Sequence, residues 1–143
     1  MVYVDGKGIP IALEVESAQK SEVKLALQTI DQVSISGRPL HPRKRAETIC
    51  ADKAYDASWL RDALRARNIK PKIPKKRKRG QKDEPLYNQT IVDYYRTRWI
   101  VERTISWFSW YRRILMRWER QDDIYEAFVT LACIMICLKR VLL

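Results

Sequence analysis

The chain has 143 residues, enough for one domain with a buried core but few for a complete multi-step enzyme. Lys and Arg number 28 against 17 Asp and Glu, a net charge of +11, while 46% apolar residues is ordinary for a globular fold, so the charge is added to a core and favours a polyanionic partner. A single histidine, His41, leaves almost no material for Ser-His or Cys-His catalysis; no apolar stretch reaches the ~20 residues of a bilayer span, and the start MVYVDGKG has no signal-peptide pattern. Any catalysis must therefore rest on carboxylates, and a soluble, cytoplasmic chain with no membrane partner is expected.

In chain order, residues 2–4 and 11–15 read as short strands joined by a turn through Asp5-Gly6-Lys7-Gly8, whose Asp-Gly and Gly steps suit an antiparallel hairpin. Residues 20–33 carry Val23, Leu25, Ala26, Leu27 and Ile30 at helical spacing after Ser21, and polar loop chemistry follows at Ser36-Gly37-Arg38-Pro39. His41 falls in this Pro-flanked loop. Residues 47–51 form a short run of strand-forming types that ends at Asp52. Asp56 is placed to cap a helix over 58–67, and 69–73 offers another brief strand between Asn68 and Pro74. This order predicts mixed α and β elements around one sheet.

A basic run follows, residues 75–82, including Lys75, Lys76, Arg77, Lys78 and Arg79, with no apolar periodicity; it reads as a loop. From 88 to 118 the pattern is helical, and the helical region is drawn to 119. At ~100° per residue Ile100, Thr104, Trp107, Phe108, Tyr111, Leu115 and Trp118 gather on one side as a packing face. Tyr95, Arg98, Glu102, Ser109 and Arg113 fall in a narrow arc opposite, so one carboxylate is held among cations and a phenol. A last helix, 124–138 with its end drawn to 140, is apolar nearly all round and should be buried against the domain or a partner. Cys50, Cys133 and Cys137 sit in apolar segments without C-x-x-C spacing, so they read as structural thiols. Cys133 and Cys137, four apart, lack the second ligand pair that a zinc site needs.

Two patterns carry a family resemblance. Ala51-Asp52-Lys53-Ala54-Tyr55-Asp56, after an apolar strand, resembles the D-K-G-Y-D segment of DDE insertion-sequence transposases. Tyr95-x-x-Arg98-x-x-x-Glu102 resembles the Y-R-E part of the signature that these enzymes carry on the helix bearing their catalytic glutamate. The segment from Ile100 to Leu115 and the approach to the basic loop through Arg67-Asn68-Ile69-Lys70-Pro71 extend the likeness over nearly the whole chain. The resemblance implies an α/β, RNase H-like fold: a mixed sheet with flanking helices. It also implies metal-dependent DNA cleavage and strand transfer.

Carried across residue by residue, Asp52 matches the second catalytic aspartate and Glu102 the glutamate, with Mg²⁺ or Mn²⁺ as the implied cofactor. Divalent ions of this kind take hard oxygen ligands. Tyr95, Arg98, Arg113 and the cations at 75–79 are the implied DNA contacts, and the partners are transposon-end and target DNA. Two departures stand out. The strand with the first aspartate should precede the opening hairpin, and Asp5, in a turn, is a poor substitute. The signature lysine is replaced by Ser109, for which Arg113 is the nearest stand-in. The chain alone is thus expected to be inactive, a truncated form or one needing an upstream-encoded transposase segment, with self-association a further expectation. The alternatives are a non-catalytic nucleic-acid-binding fragment and a structural piece associating through its last helix.

Overall fold

A computed structural model describes residues 1–16, 21–33, 35–38, 41–43, 46–76 and 89–142, with backbone alone for 35–38, 41–43, 89–91, 94–95 and 141. The elements run β1 (Val2–Val4), β2 (Pro10–Leu13), α1 (Glu22–Asp31), β3 (Ile35–Arg38), β4 (His41–Arg43), β5 (Thr48–Cys50), α2 (Ser58–Ala66), β6 (Lys70–Lys72), α3 (Gln89–Phe108), α4 (Arg112–Leu115) and α5 (Asp122–Leu142). The chain is mixed α/β, as its sequence pattern predicts.

The hairpin of β1 and β2 is antiparallel with Tyr3 opposite Ala12, and Gly8, at a φ of 83°, makes its turn. The Asp5 carboxylate accepts the Lys7 and Ile9 backbone N–H groups, both at 2.8 Å. That is an Asx turn, the use its position predicts. Side chains alternate across β1: Met1 and Tyr3 pack on one hydrophobic core while Val2 packs on another. The first core gathers Ala26 and Ile30 of α1, Ile49 of β5, Leu60 and Leu64 of α2, and Ile69 and Ile73 around β6. The second is built by Phe108 at the end of α3 and Val129, Ala132 and Ile136 of α5.

β5 and β6 are parallel, with Ile49 opposite Pro71, and α2 is the crossover between them. α2 ends where Asn68 takes a φ of 56° and the Ile69 N–H reaches back to the Leu64 carbonyl at 2.9 Å, a left-handed cap that turns the chain into β6. Asp56 does not cap this helix. Ala57 occupies that position, and the Asp56 carboxylate instead binds Arg61, at 2.7 and 2.9 Å, and the Lys76 N–H at 2.6 Å. The competing guanidinium is a charged donor, stronger than a helix amide.

Other expectations are corrected. Among the described residues the strands form three separate two-stranded sheets, β1 with β2, β3 with β4 and β5 with β6, not one sheet. Nothing described lies between β1 and β5 to join their sheets. The expected loop around Gly37 and His41 is the β3–β4 hairpin, because pairing there is a backbone property that the polar side chains do not announce. The long helix stops at Phe108. Trp110 and Tyr111 donate to the carbonyls three residues back, and Ser109 turns its hydroxyl onto the Ser106 carbonyl at 2.6 Å. The predicted packing face therefore holds only to this break: Thr104 and Phe108 are buried, whereas Leu115 and Trp118 are exposed. α5 likewise buries one stripe and leaves Leu131, Ile134, Met135 and Leu138 exposed. Among the described residues no helix is long and apolar enough to cross a membrane.

Candidate active-site cleft

A cleft of about 1490 Å³ opens between β1, β5 and α3. Asp52, directly after β5, and Glu102, on α3, both line it, together with Tyr55 and Arg98. β5 delivers Asp52 because Ile49 anchors that strand in the core and the backbone then leaves the sheet into a one-turn 3₁₀ helix, Lys53–Tyr55. Asp52 stands at the cap position of that turn but makes no side-chain capping bond, so its exposed carboxylate is not used up by local structure.

α3 reaches the cleft through two anchors. Thr104 is fully buried and donates its hydroxyl to the Gly8 carbonyl at 2.6 Å. Asp93, earlier on the helix, forms an ion pair with Lys72 of β6, which raises the Lys72 amine above its ordinary range. Between these anchors Glu102 accepts the Arg98 Nε–H at 2.6 Å, both side chains being more than half exposed. A pair of that kind contributes only about 0.3–0.5 kcal/mol, so a stronger ligand could displace it. Burial, the charge and hydrogen bond of Glu22, and lastly the Asp52 charge push the Tyr55 phenol up to about 12.

The remaining candidates scatter. Tyr95 lies on α3, its side chain outside the described residues. Arg113 is on α4, beyond the break, and therefore does not continue the face of Glu102. It pairs with Glu119, whose carboxyl it holds below its usual range against the opposing effect of burial, and it covers the Phe128 ring at 4.8 Å. Lys75 and Lys76 are exposed just after β6, while Arg77, Lys78 and Arg79 fall outside the described residues. Tyr55, Asp93 and Thr104 were not singled out as site residues. Tyr55 lies inside the recognised Ala51-to-Asp56 segment, but no local spacing signals the pairing of Asp93 with Lys72.

The cleft carboxylates are hard oxygen donors suited to Mg²⁺ or Mn²⁺, yet among the described residues no group of three or more Asp, Glu, His or Cys could hold a metal ion. The cysteines are free; burial, then the neighbouring Cys137, pushes the Cys133 thiol up to about 11, opposite to what a metal-binding thiolate needs.

A putative transposase for insertion sequence element IS402 from Burkholderia cepacia is 36% identical over 137 residues, covering 95% of this chain and 60% of that relative's length. No solved structure matches the chain. The family described as "Transposase DDE domain" matches residues 1–137. Over that span, which takes in the hairpin, the cleft and most of α5, the chain belongs to the DDE transposase domain family.

Proposed function

We propose that the chain is part of the catalytic domain of an insertion-sequence transposase, a polynucleotidyl transferase that frees a 3′-hydroxyl at the element's end and joins it to target DNA. Support comes above all from one observation: the two carboxylates singled out in the sequence, Asp52 and Glu102, line the same cleft in a chain of this family. The fold is read as RNase H-like and short of its first strand. Asp52 and Glu102 would bind Mg²⁺ or Mn²⁺, which when bound supplies electrostatic stabilisation of charge at the phosphate. Two carboxylates are a weak set, so a third, from transposase polypeptide outside residues 1–143, is required for turnover.

The chain's own residues then have distinct tasks. Arg98 holds the Glu102 carboxylate in place, and its guanidinium would take a DNA phosphate where Glu102 turns to a metal. Lys75, Lys76, Arg77, Lys78 and Arg79 contact DNA phosphates without reading sequence, and Tyr95 meets DNA near the transposon end. Arg113, engaged by Glu119 and Phe128, contributes to DNA binding only by exchanging those partners.

Mn²⁺ titration by calorimetry, together with a strand-transfer assay on element-end DNA, tests the reading. Weak Mn²⁺ binding is expected that Asp52→Asn and Glu102→Gln each abolish, with negligible strand transfer by the chain alone. Metal binding indifferent to both substitutions would return the chain to a non-catalytic nucleic-acid-binding role. Robust transfer by the unaided chain would overturn the missing carboxylate.

A further inference from the structure

Cations that rest on rings fall into two groups in this chain. Arg113 over Phe128 and Arg117 over Tyr125 each also hold a carboxylate, of Glu119 and Asp122. The cations that rest on indoles do not. Arg103, Arg140 and Lys139 have no ion pair among the described residues, so their charge is uncompensated.

These three cations and three indoles form one strip. The Arg103 guanidinium lies 4.5 Å from the Trp99 ring and 5.0 Å from that of Trp107. Arg140 covers Trp107 at 4.6 Å, and its chain neighbour Lys139 stands 5.7 Å from the Trp110 ring. Residues 99, 103 and 107 succeed one another at four-residue steps, so they share a face of α3 over about 12 Å. The strip then passes to the C-terminal end of α5.

Part of it has a structural use. Arg103 donates to the Lys7 carbonyl at 2.5 Å, which fastens the guanidinium to the β1–β2 turn and fixes the two indoles it separates. Holding that turn does not account for Trp99 and Trp110, both more than half exposed, nor for the bare charge of Arg140 and Lys139. Open ring faces beside uncompensated cations suit a ligand with flat faces and regularly spaced anions, which is a nucleic-acid strand. Bases in a duplex cover one another, so an indole can stack only on unpaired ones. The basic run at 75–79 has no aromatic residue and lacks this selectivity. Trp99 also precedes Glu102 by three residues, which makes them neighbours on the helix and starts the strip beside the cleft.

We infer that this strip binds single-stranded DNA: unpaired bases stack on Trp99 and Trp110, Arg140 and Lys139 meet the flanking phosphates, and Arg103 sets the spacing of Trp99 and Trp107. That the strand is DNA rests on the proposed function; that its bases are unpaired follows from the exposed rings.

Fluorescence anisotropy on the purified 143-residue chain, in EDTA, tests this with a labelled oligothymidylate of about 20 nucleotides and a blunt mixed-sequence duplex of equal length. Trp99→Leu and Trp110→Leu should each weaken the single strand by at least about 5-fold and leave the duplex within about 2-fold. Trp99→Phe, which keeps a ring, should retain most of the affinity. Trp59→Leu, at an exposed indole of α2, should change neither ligand. Replacing Lys139 and Arg140 together with Gln should lower the salt slope for the single strand by about 1.4, at roughly 0.7 per phosphate. Equal losses on both ligands, or no loss from either leucine variant, overturn the inference. An unaltered salt slope overturns it too, and that arm decides if a tryptophan variant changes the circular dichroism spectrum. So does loss of binding to phosphatidylserine vesicles in the same variants with single-strand affinity intact, which would assign the strip to lipid. The Mn²⁺ titration involves neither indole and this binding needs no metal, so either reading can fail while the other stands.

Discussion

At the scale of single residues, Gly8 is the position where the backbone leaves no choice. Its φ of 83° is one that L side chains rarely adopt, and an added Cβ would stand 2.8 Å from the Thr104 hydroxyl oxygen. Gly8→Ala is expected to cost about 1–3 kcal/mol in thermal unfolding. Gly6→Ala, in the same turn with nothing within 4 Å of its Cβ, should stay within about 0.5 kcal/mol. Equal effects at both positions would refute the account. Changes to groups that merely support a metal ligand cost about 10–100-fold, so if Asp52 and Glu102 are the ligands proposed above, Asp52→Asn or Glu102→Gln should exceed that in a strand-transfer assay of the complete transposase. Asp52 and Glu102 were legible as candidates because each sits in a short pattern specific enough to stand out, and both line the cleft. Asp93 and Thr104 were not, because their partners lie 21 and 96 residues away along the chain.

Between elements, a partly buried ion pair adds to what the core supplies. Asp56 ties α2 to the segment after β6, for Arg61 also donates to the Ile73 carbonyl at 2.7 Å. Burial would raise the Asp56 carboxyl, but the Lys76 N–H and the Arg61 guanidinium outweigh it and hold it below its ordinary 3.8. A carboxyl lowered on folding stabilises the native state above its unfolded value and loses that contribution as pH falls through the native one. Asp56→Ala is thus expected to cost about 1–3 kcal/mol at pH 7. Urea unfolding curves of variant and parent should converge as pH drops below 3.8; a gap that persisted in acid would exclude the ion pair as its cause.

The same scale shows where sequence reading stopped. Strands around Val2, Thr48 and Lys70 and the helices at 22–31 and 58–66 follow from local pattern, with ends shifted by only a few residues. The break of the long helix did not, because the hydroxyls of Ser106 and Ser109 compete for backbone carbonyls without disturbing apolar spacing. The division into separate sheets was invisible for a different reason: strand neighbours are a long-range property.

For the whole molecule, a net charge of +11 makes the proposed DNA contact measurable through its salt dependence. Each phosphate neutralised contributes about 0.9 to the slope of log affinity against log salt. Replacing Lys75, Lys76, Arg77, Lys78 and Arg79 with Gln should reduce that slope by up to about 4.5. An unchanged slope would remove this segment from the interface. Cations elsewhere are braced on rings: Arg103 lies between Trp99 at 4.5 Å and Trp107 at 5.0 Å, and Arg140 covers the same Trp107 at 4.6 Å. This arrangement belongs to a broader pattern. Trp59 is 46% exposed, Trp99 52%, Trp110 70% and Trp118 73%, while Trp107 is partly buried against the second core, so four of the five indoles lie at the surface. Intrinsic fluorescence of this protein therefore reports its skin. Emission will shift little on denaturation, whereas a bound oligonucleotide should quench it strongly, so folding is better followed by ellipticity and binding by light.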